Sequence, residues 1–130
     1  MRTPHGKMAL AVLAATLAMA GSAAAQQRWG ALAISAEGYG WAKGYANKAE
    51  AERFALSNCR KHTKRDSCDV RAIPAGACAA VASWSFVDGG TRRFGNIGSF
   101  GDTLSAASNK AMASCRAKHR GCKIEHSFCN

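Results

Sequence analysis

The sequence predicts an α+β fold: two strand–strand–helix–strand units forming one mostly antiparallel sheet, with two helices on one face and disulfide staples. Three observations predict it. Residues 47–59, NKAEAERFALSNC, carry an alanine-rich helix pattern that ends in a cysteine. Residues 102–115, DTLSAASNKAMASC, repeat the same logic. The six cysteines fall into two runs of three that follow the doubling: Cys59, Cys68 and Cys78, then Cys115, Cys122 and Cys129.

The first 25 residues read as a segment to be removed. Arg2, His5 and Lys7 form a basic leader, residues 8–20 an apolar core, and Ala23 and Ala25 an A-x-A cleavage signal before Gln26. That order is the pattern of a secretory signal peptide. A membrane anchor needs about 20 apolar residues in a row, more than this run supplies. The expected organisation is a signal peptide over 1–25 and a single disulfide-bonded domain over 26–130, with half-repeats at about 29–76 and 77–130.

Within the first half, residues 29–35, WGALAIS, form a short apolar strand, and Ala36, Glu37 and Gly38 turn the chain. Residues 38–45 then alternate, placing Gly38, Gly40, Ala42 and Gly44 on one face and Tyr39, Trp41, Lys43 and Tyr45 on the other. Glycine weakens a strand unless another backbone comes close, so the small face predicts a helix packed against it. Asn47 is the expected N-cap, with Glu50 three residues on. Ala51, Ala55 and Cys59 recur every four residues and share a face. Residues 68–73, CDVRAI, form the third strand, stopped by Pro74 and Gly76.

The second half runs in parallel. Residues 78–86, CAAVASWSF, echo the opening strand, and Asp88, Gly89 and Gly90 make a turn. Residues 92–101 are a less regular strand. Asp102 or Thr103 caps the second helix, whose stripe is Ala107, Ala111 and Cys115, and residues 122–128, CKIEHSF, form the last strand. Aligning the helices on their terminal cysteines matches Trp41 with Ile97 and Ala55 with Ala111.

Six cysteines permit fifteen pairings, and spacing alone does not choose among them. The repeat narrows the choice. Equivalent units stapled in equivalent ways give Cys59–Cys68 and Cys115–Cys122, leaving Cys78–Cys129 to tie one unit to the other. An even cysteine count in a small exported chain reads as a disulfide framework. C-x-x-C and C-x₂₋₄-C…H-x₃₋₅-H spacings are missing, so no metal and no cofactor are expected.

The chain has a net charge of +10, from 18 basic and 8 acidic residues. Setting aside Arg2 and Lys7 leaves 16 basic residues and a net charge of +8. The basic residues cluster just beyond each helix: Arg60, Lys61, His62, Lys64 and Arg65, then Arg116, Lys118, His119, Arg120 and Lys123. Cations there offset the helix dipole. The sharper reading is a two-part positive patch, extended by Arg92 and Arg93, for an anionic envelope component or an acidic protein. Nucleic acid is not the expected physiological partner.

The aromatic face of Tyr39, Trp41 and Tyr45 is a stacking platform if exposed and half of the core if buried. Alanine-striped helices cannot fill a core alone, so burial is expected, together with Trp29, Trp84 and Phe86. Catalytic signals are thin. Asp66 lies near His62, and Glu125 precedes His126, but neighbouring strand residues point to opposite faces. Neither pair comes with a positioned nucleophile.

Several segments resemble one bacterial family: WGALAIS, GYGWAKGY, AEAERFALSNC, CDVRAI, CAAVAS and the closing GCKIEHSFC. It is the exported domain-of-unknown-function family numbered 4189. The likeness covers nearly all of residues 26–130, although the second helix lacks the acidic A-E-A core. The resemblance implies a small exported disulfide-bonded fold and carries no activity. The function expected is a non-catalytic exported binding module for an anionic partner. The alternatives are a secreted inhibitor or immunity-type protein, or a small cell-envelope hydrolase.

Overall fold

The computed structural model describes residues 27–64 and 67–130. The signal-peptide reading of residues 1–25, Arg65 of the first basic cluster, and Asp66 lie outside the described residues. The elements are β1 (Trp29–Ile34), β2 (Tyr39–Tyr45), α1 (Lys48–Lys61), β3 (Asp69–Ile73), β4 (Cys78–Asp88), β5 (Thr91–Gly101), α2 (Leu104–Arg116) and β6 (Lys123–Cys129).

Both helices begin at side-chain caps. Asn47 Oδ1 accepts the Glu50 backbone N–H at 3.0 Å, and Thr103 Oγ1 accepts that of Ala106 at 3.0 Å. Each cap satisfies a donor that the first turn leaves without a partner. The buried faces are the alanine–cysteine stripes, Ala51, Ala55 and Cys59 on α1 and Ala107, Ala111 and Cys115 on α2.

The fold is α+β, with strand–strand–helix–strand order in each half, but the strands form two sheets rather than one. Their orders are β2-β1-β3 and β5-β4-β6, all antiparallel. The reason lies in the opening strands, which are apolar on both faces. In β1, Ala31 and Ala33 pack under α1, while Leu32 turns the other way. In β4, Cys78, Ala80 and Ala82 pack under α2, while Ala79 and Val81 turn the other way. Leu32 and Ile73 meet Ala79, Val81 and Phe128 between the sheets. The helices therefore cover opposite outer faces, and the layers run helix, sheet, sheet, helix.

Disulfides join Cys59–Cys68, Cys115–Cys122 and Cys78–Cys129. The third does not tie the halves together, because Cys78 and Cys129 are paired neighbours on β4 and β6 of one sheet. The halves are held instead by the apolar layer between the sheets and by polar contacts at its ends. The Arg71 guanidinium lies 4.4 Å from the Phe100 ring centre, a cation–π contact across the sheets. At the start of β1 and β4, Asn130 acts as a clasp. Its Nδ2 donates to the carbonyls of Arg28 and Ile73, both at 2.9 Å, and its Oδ1 accepts the Gly44 N–H at 3.0 Å.

Two bulges change which way side chains face. In β2 the register against β1 slips between Trp29 and Ala31, near Gly44, whose φ is 76°. Tyr45 is thereby turned to the α1 side, where its ring sits 5.5 Å from that of Phe54. The expected trio of Tyr39, Trp41 and Tyr45 is reduced to a pair. The match of Trp41 with Ile97 fails for the same reason, since Ile97 faces α2 and Trp41 faces the other sheet. In β6 the register slips against Val81 and Ala82, which frees Glu125 from pairing.

Candidate functional site

The two sheets part at the end opposite the Asn130 clasp, and two adjoining grooves open there. One, of about 630 Å³, is lined by Tyr39, Gly40 and Trp41 of β2 and Asn58 of α1, facing Ser83, Asn96 and Glu125 of the second half. The other, of about 900 Å³, has Trp84, Phe86 and Phe94 as apolar walls and Lys64 and Arg93 as cationic ones, with the His119 ring against Trp84. Glu37, His62 and Phe94 line both, so the grooves are continuous.

Local structure explains how these side chains get there. Ser35 Oγ accepts the N–H groups of Glu37 at 3.2 Å and Gly38 at 3.0 Å, which fixes the β1–β2 turn. That turn presents Glu37, whose carboxylate accepts the Lys64 backbone N–H at 3.1 Å and anchors the segment after α1. Glycine at 38 and 40 lets α1 lie close: a Cβ at Gly38 would stand 2.5 Å from the His62 Cβ. The close approach brings Asn58 and His62 to the groove. Asn96 Nδ2 donates to the Ala36 carbonyl at 3.4 Å, bridging the halves beside it.

The second half contributes a projecting arm. β4 and β5 pair continuously to Asp88 and Thr91, whereas the pairing of β4 with β6 stops at Ser83 and Lys123. Beyond that point the hairpin stands as two strands, and Phe86, Val87 and Phe94 are 44%, 69% and 58% exposed. Phe86 is therefore a groove wall and not a core residue, because no third strand or helix covers it. Trp84, at the root of the arm, is half-buried and stacks on His119, with ring centres 3.7 Å apart and planes 9° apart. Its indole crosses Gly95, where any Cβ would collide with the ring.

At the other end of the groove the β6 bulge turns Glu125 and His126 to the same side, against the expected divergence. Glu125 accepts the Ser83 hydroxyl at 3.0 Å and pairs with Lys123 at 3.5 Å. The His126 ring stacks on Trp41, 4.6 Å between centres, and lies 6.2 Å from Tyr39. Its Nε2 is buried without a hydrogen-bond partner among the described residues. Burial pushes the His126 imidazole down from its ordinary value. Burial, and then the Glu125 charge, push the Tyr39 phenol up. Trp41 keeps 37% of its surface exposed above this cluster.

Of the two basic clusters, His62 and Lys64 from the first and His119 and Lys123 from the second line the grooves. Arg60, Lys61, Arg116, Lys118 and Arg120 line neither. Arg60, Lys61 and Arg116 occupy the last turns of their helices, where they complement the dipole. Sequence reasoning passed over Glu37, Asn58, Phe94 and Asn96. Their only signal is polar or aromatic character beside the turns that flank the groove.

Residues 29–129 match the family described as a domain of unknown function, DUF4189. The chain belongs to the DUF4189 family. No curated protein and no solved structure matches it. The chemistry of this DUF4189 domain thus rests on its own residues. All six cysteines are in disulfides, and the Ser83 hydroxyl in the groove donates to the Glu125 carboxylate. The DUF4189 groove carries cationic and aromatic side chains at one end and amide, hydroxyl and carboxylate groups at the other. Among its described residues no helix is long and apolar enough to cross a membrane.

Proposed function

We propose that this DUF4189 protein is an exported, non-catalytic binding module that takes an anionic ligand in the groove between its halves. The observation that carries the reading is the meeting of His62 and Lys64, from one basic cluster, with His119, from the other, and with Arg93 around a single aromatic-walled groove. Cations beside apolar walls attract an anion more strongly than the same cations on an open surface, because less water screens them. Three disulfides support an oxidising compartment. N-terminal sequencing of the native protein tests export, with Gln26 as the expected first residue.

Titration with inorganic tripolyphosphate at low and high ionic strength tests the binding reading. Affinity should fall steeply with salt, and Lys64→Ala combined with Arg93→Ala should remove most of it. Binding that ignores both salt and this double substitution would overturn the proposal.

The projecting arm favours a second reading, an inhibitor-type protein that inserts Phe86, Val87 and the arginines at 92 and 93 into a partner's cleft. Under that reading, replacing Val87 with Asp abolishes capture of the partner and leaves tripolyphosphate binding intact.

A further inference from the structure

The two ends of the groove differ in a way that points to the ligand's chemistry. Lys64, Arg93 and His119 surround the aromatic end. At the other end, Asn58, Asn96 and Ser83 supply amide and hydroxyl groups, and Trp41 supplies an indole that is 37% exposed. Glu125 lines that end as well, and Glu37 borders both ends. A strand of successive phosphates would meet both carboxylates, and like charges repel. Nucleic acid and polyphosphate therefore suit only half of the groove. Hydroxyl-rich rings suit the other half. Their C–H faces lie flat on an indole, and their hydroxyls both donate to carboxylates and accept from amide NH₂ groups.

Resting on the anion-binding reading above, we propose that the ligand is an acidic oligosaccharide in which an acidic sugar adjoins a neutral one. The acidic group lies among Lys64, Arg93 and His119. The neutral ring stacks on Trp41, with Asn58, Asn96 and Glu125 reading its hydroxyl and amide substituents. Lys123 pairs with Glu125 at 3.5 Å and Arg93 with Asp88 at 3.3 Å, so the acidic group at the far end competes with Asp88 for the Arg93 guanidinium.

Three probes separate the parts. A hyaluronan tetrasaccharide alternates glucuronate with N-acetylglucosamine, chitotetraose offers the neutral rings alone, and tripolyphosphate offers charge alone. Calorimetric titration of the oxidised protein should show the hyaluronan tetrasaccharide binding at least tenfold more tightly than either of the others. Trp41→Ala and Asn58→Ala should each weaken the tetrasaccharide about tenfold and leave tripolyphosphate unchanged, while Arg93→Ala weakens both. Asn58 is a partly exposed helix residue, so its variant keeps the test valid if Trp41→Ala unfolds. Tripolyphosphate binding as tightly as the tetrasaccharide, with no effect of Asn58→Ala on either, overturns the oligosaccharide proposal and leaves the anion-binding reading standing. Chitotetraose binding as tightly as the hyaluronan tetrasaccharide, with no tripolyphosphate bound, overturns both. So does failure of all three to bind.

Discussion

Gly40→Ala is the sharpest test of how α1 is seated. A Cβ at this position would stand 2.5 Å from the Cys59 nitrogen and 2.7 Å from the Asn58 Cβ, and closer still to the Ala55 carbonyl oxygen. Two of these three neighbours are helix backbone, which cannot rotate away. Ordinary carbon contacts need about 3.5–4.0 Å, so α1 must withdraw by about 1 Å. The Cys59–Cys68 bridge tethers the same end of the helix, so the strain spreads into the stripe of Ala51, Ala55 and Cys59. Overpacking of this kind costs about 1–3 kcal/mol and occasionally more, and backbone contact places Gly40 at the upper end. Restricting the unfolded chain returns about 0.4–1 kcal/mol, for a net loss of about 2–3 kcal/mol. In a domain of this size that lowers Tm by about 10–20 °C. Gly98→Ala is the comparison, because its Cβ would meet only the tips of Leu32, at 3.0 Å, and Ile34, at 3.1 Å. Those tips can shift, and the cost should stay near 1 kcal/mol. Thermal unfolding of the oxidised proteins, followed by circular dichroism, measures both. If Gly40→Ala melts within a few degrees of the native protein, or above Gly98→Ala, the account of a glycine-seated helix is wrong.

Acid sensitivity should trace to His126. Its imidazole is harder to protonate in the folded state, so the unfolded chain takes the proton first as pH falls. Stability should be full above the ordinary imidazole value of about 6.5 and decline below it. Tyr39 and Glu125 are titratable neighbours of the ring, and Lys123 pairs with Glu125. Urea unfolding between about pH 7.5 and about pH 5.5 should show His126→Phe with a flatter profile than the native protein, and an unchanged slope would refute the assignment. Replacing Cys78 and Cys129 together by Ala should cost about 4 kcal/mol by loop entropy, against about 2.5 kcal/mol for Cys115 and Cys122. Equal losses in urea unfolding would contradict that ordering. Asn130→Ala leaves the Gly44 N–H and the carbonyls of Arg28 and Ile73 without this partner and should cost about 2–4 kcal/mol. Hydrogen exchange should then quicken at Gly44 first.

The repeat made much of the fold legible. Asn47, Ala51, Ala55 and Cys59 act within one helix, and their spacing states their roles. The three bridges formed are those that the doubling suggests, because short loops between a helix end and the next strand leave little choice. The candidate site was legible only in fragments. His62, Lys64 and His119 stood out as charge beside helix ends, yet nothing near them in the chain shows that they meet. Phe86 reads as core because alanine-striped helices need large side chains to fill the space beneath them, yet its fate depends on how far β6 extends.

Local periodicity settled the helices, their caps and the strand faces away from the two bulges, since each depends on neighbours a few residues away. Partnership between distant surfaces decided the rest. A strand apolar on both faces, such as WGALAI, demands a cover on each side but does not name it. One sheet under two helices and two sheets back to back satisfy the same demand. The extra residues near Gly44 and at Glu125 carry no compositional mark, yet each turns a side chain through half a revolution. Those two slips, and the length of the unsupported hairpin, shape the groove. They become visible only when the halves are packed together.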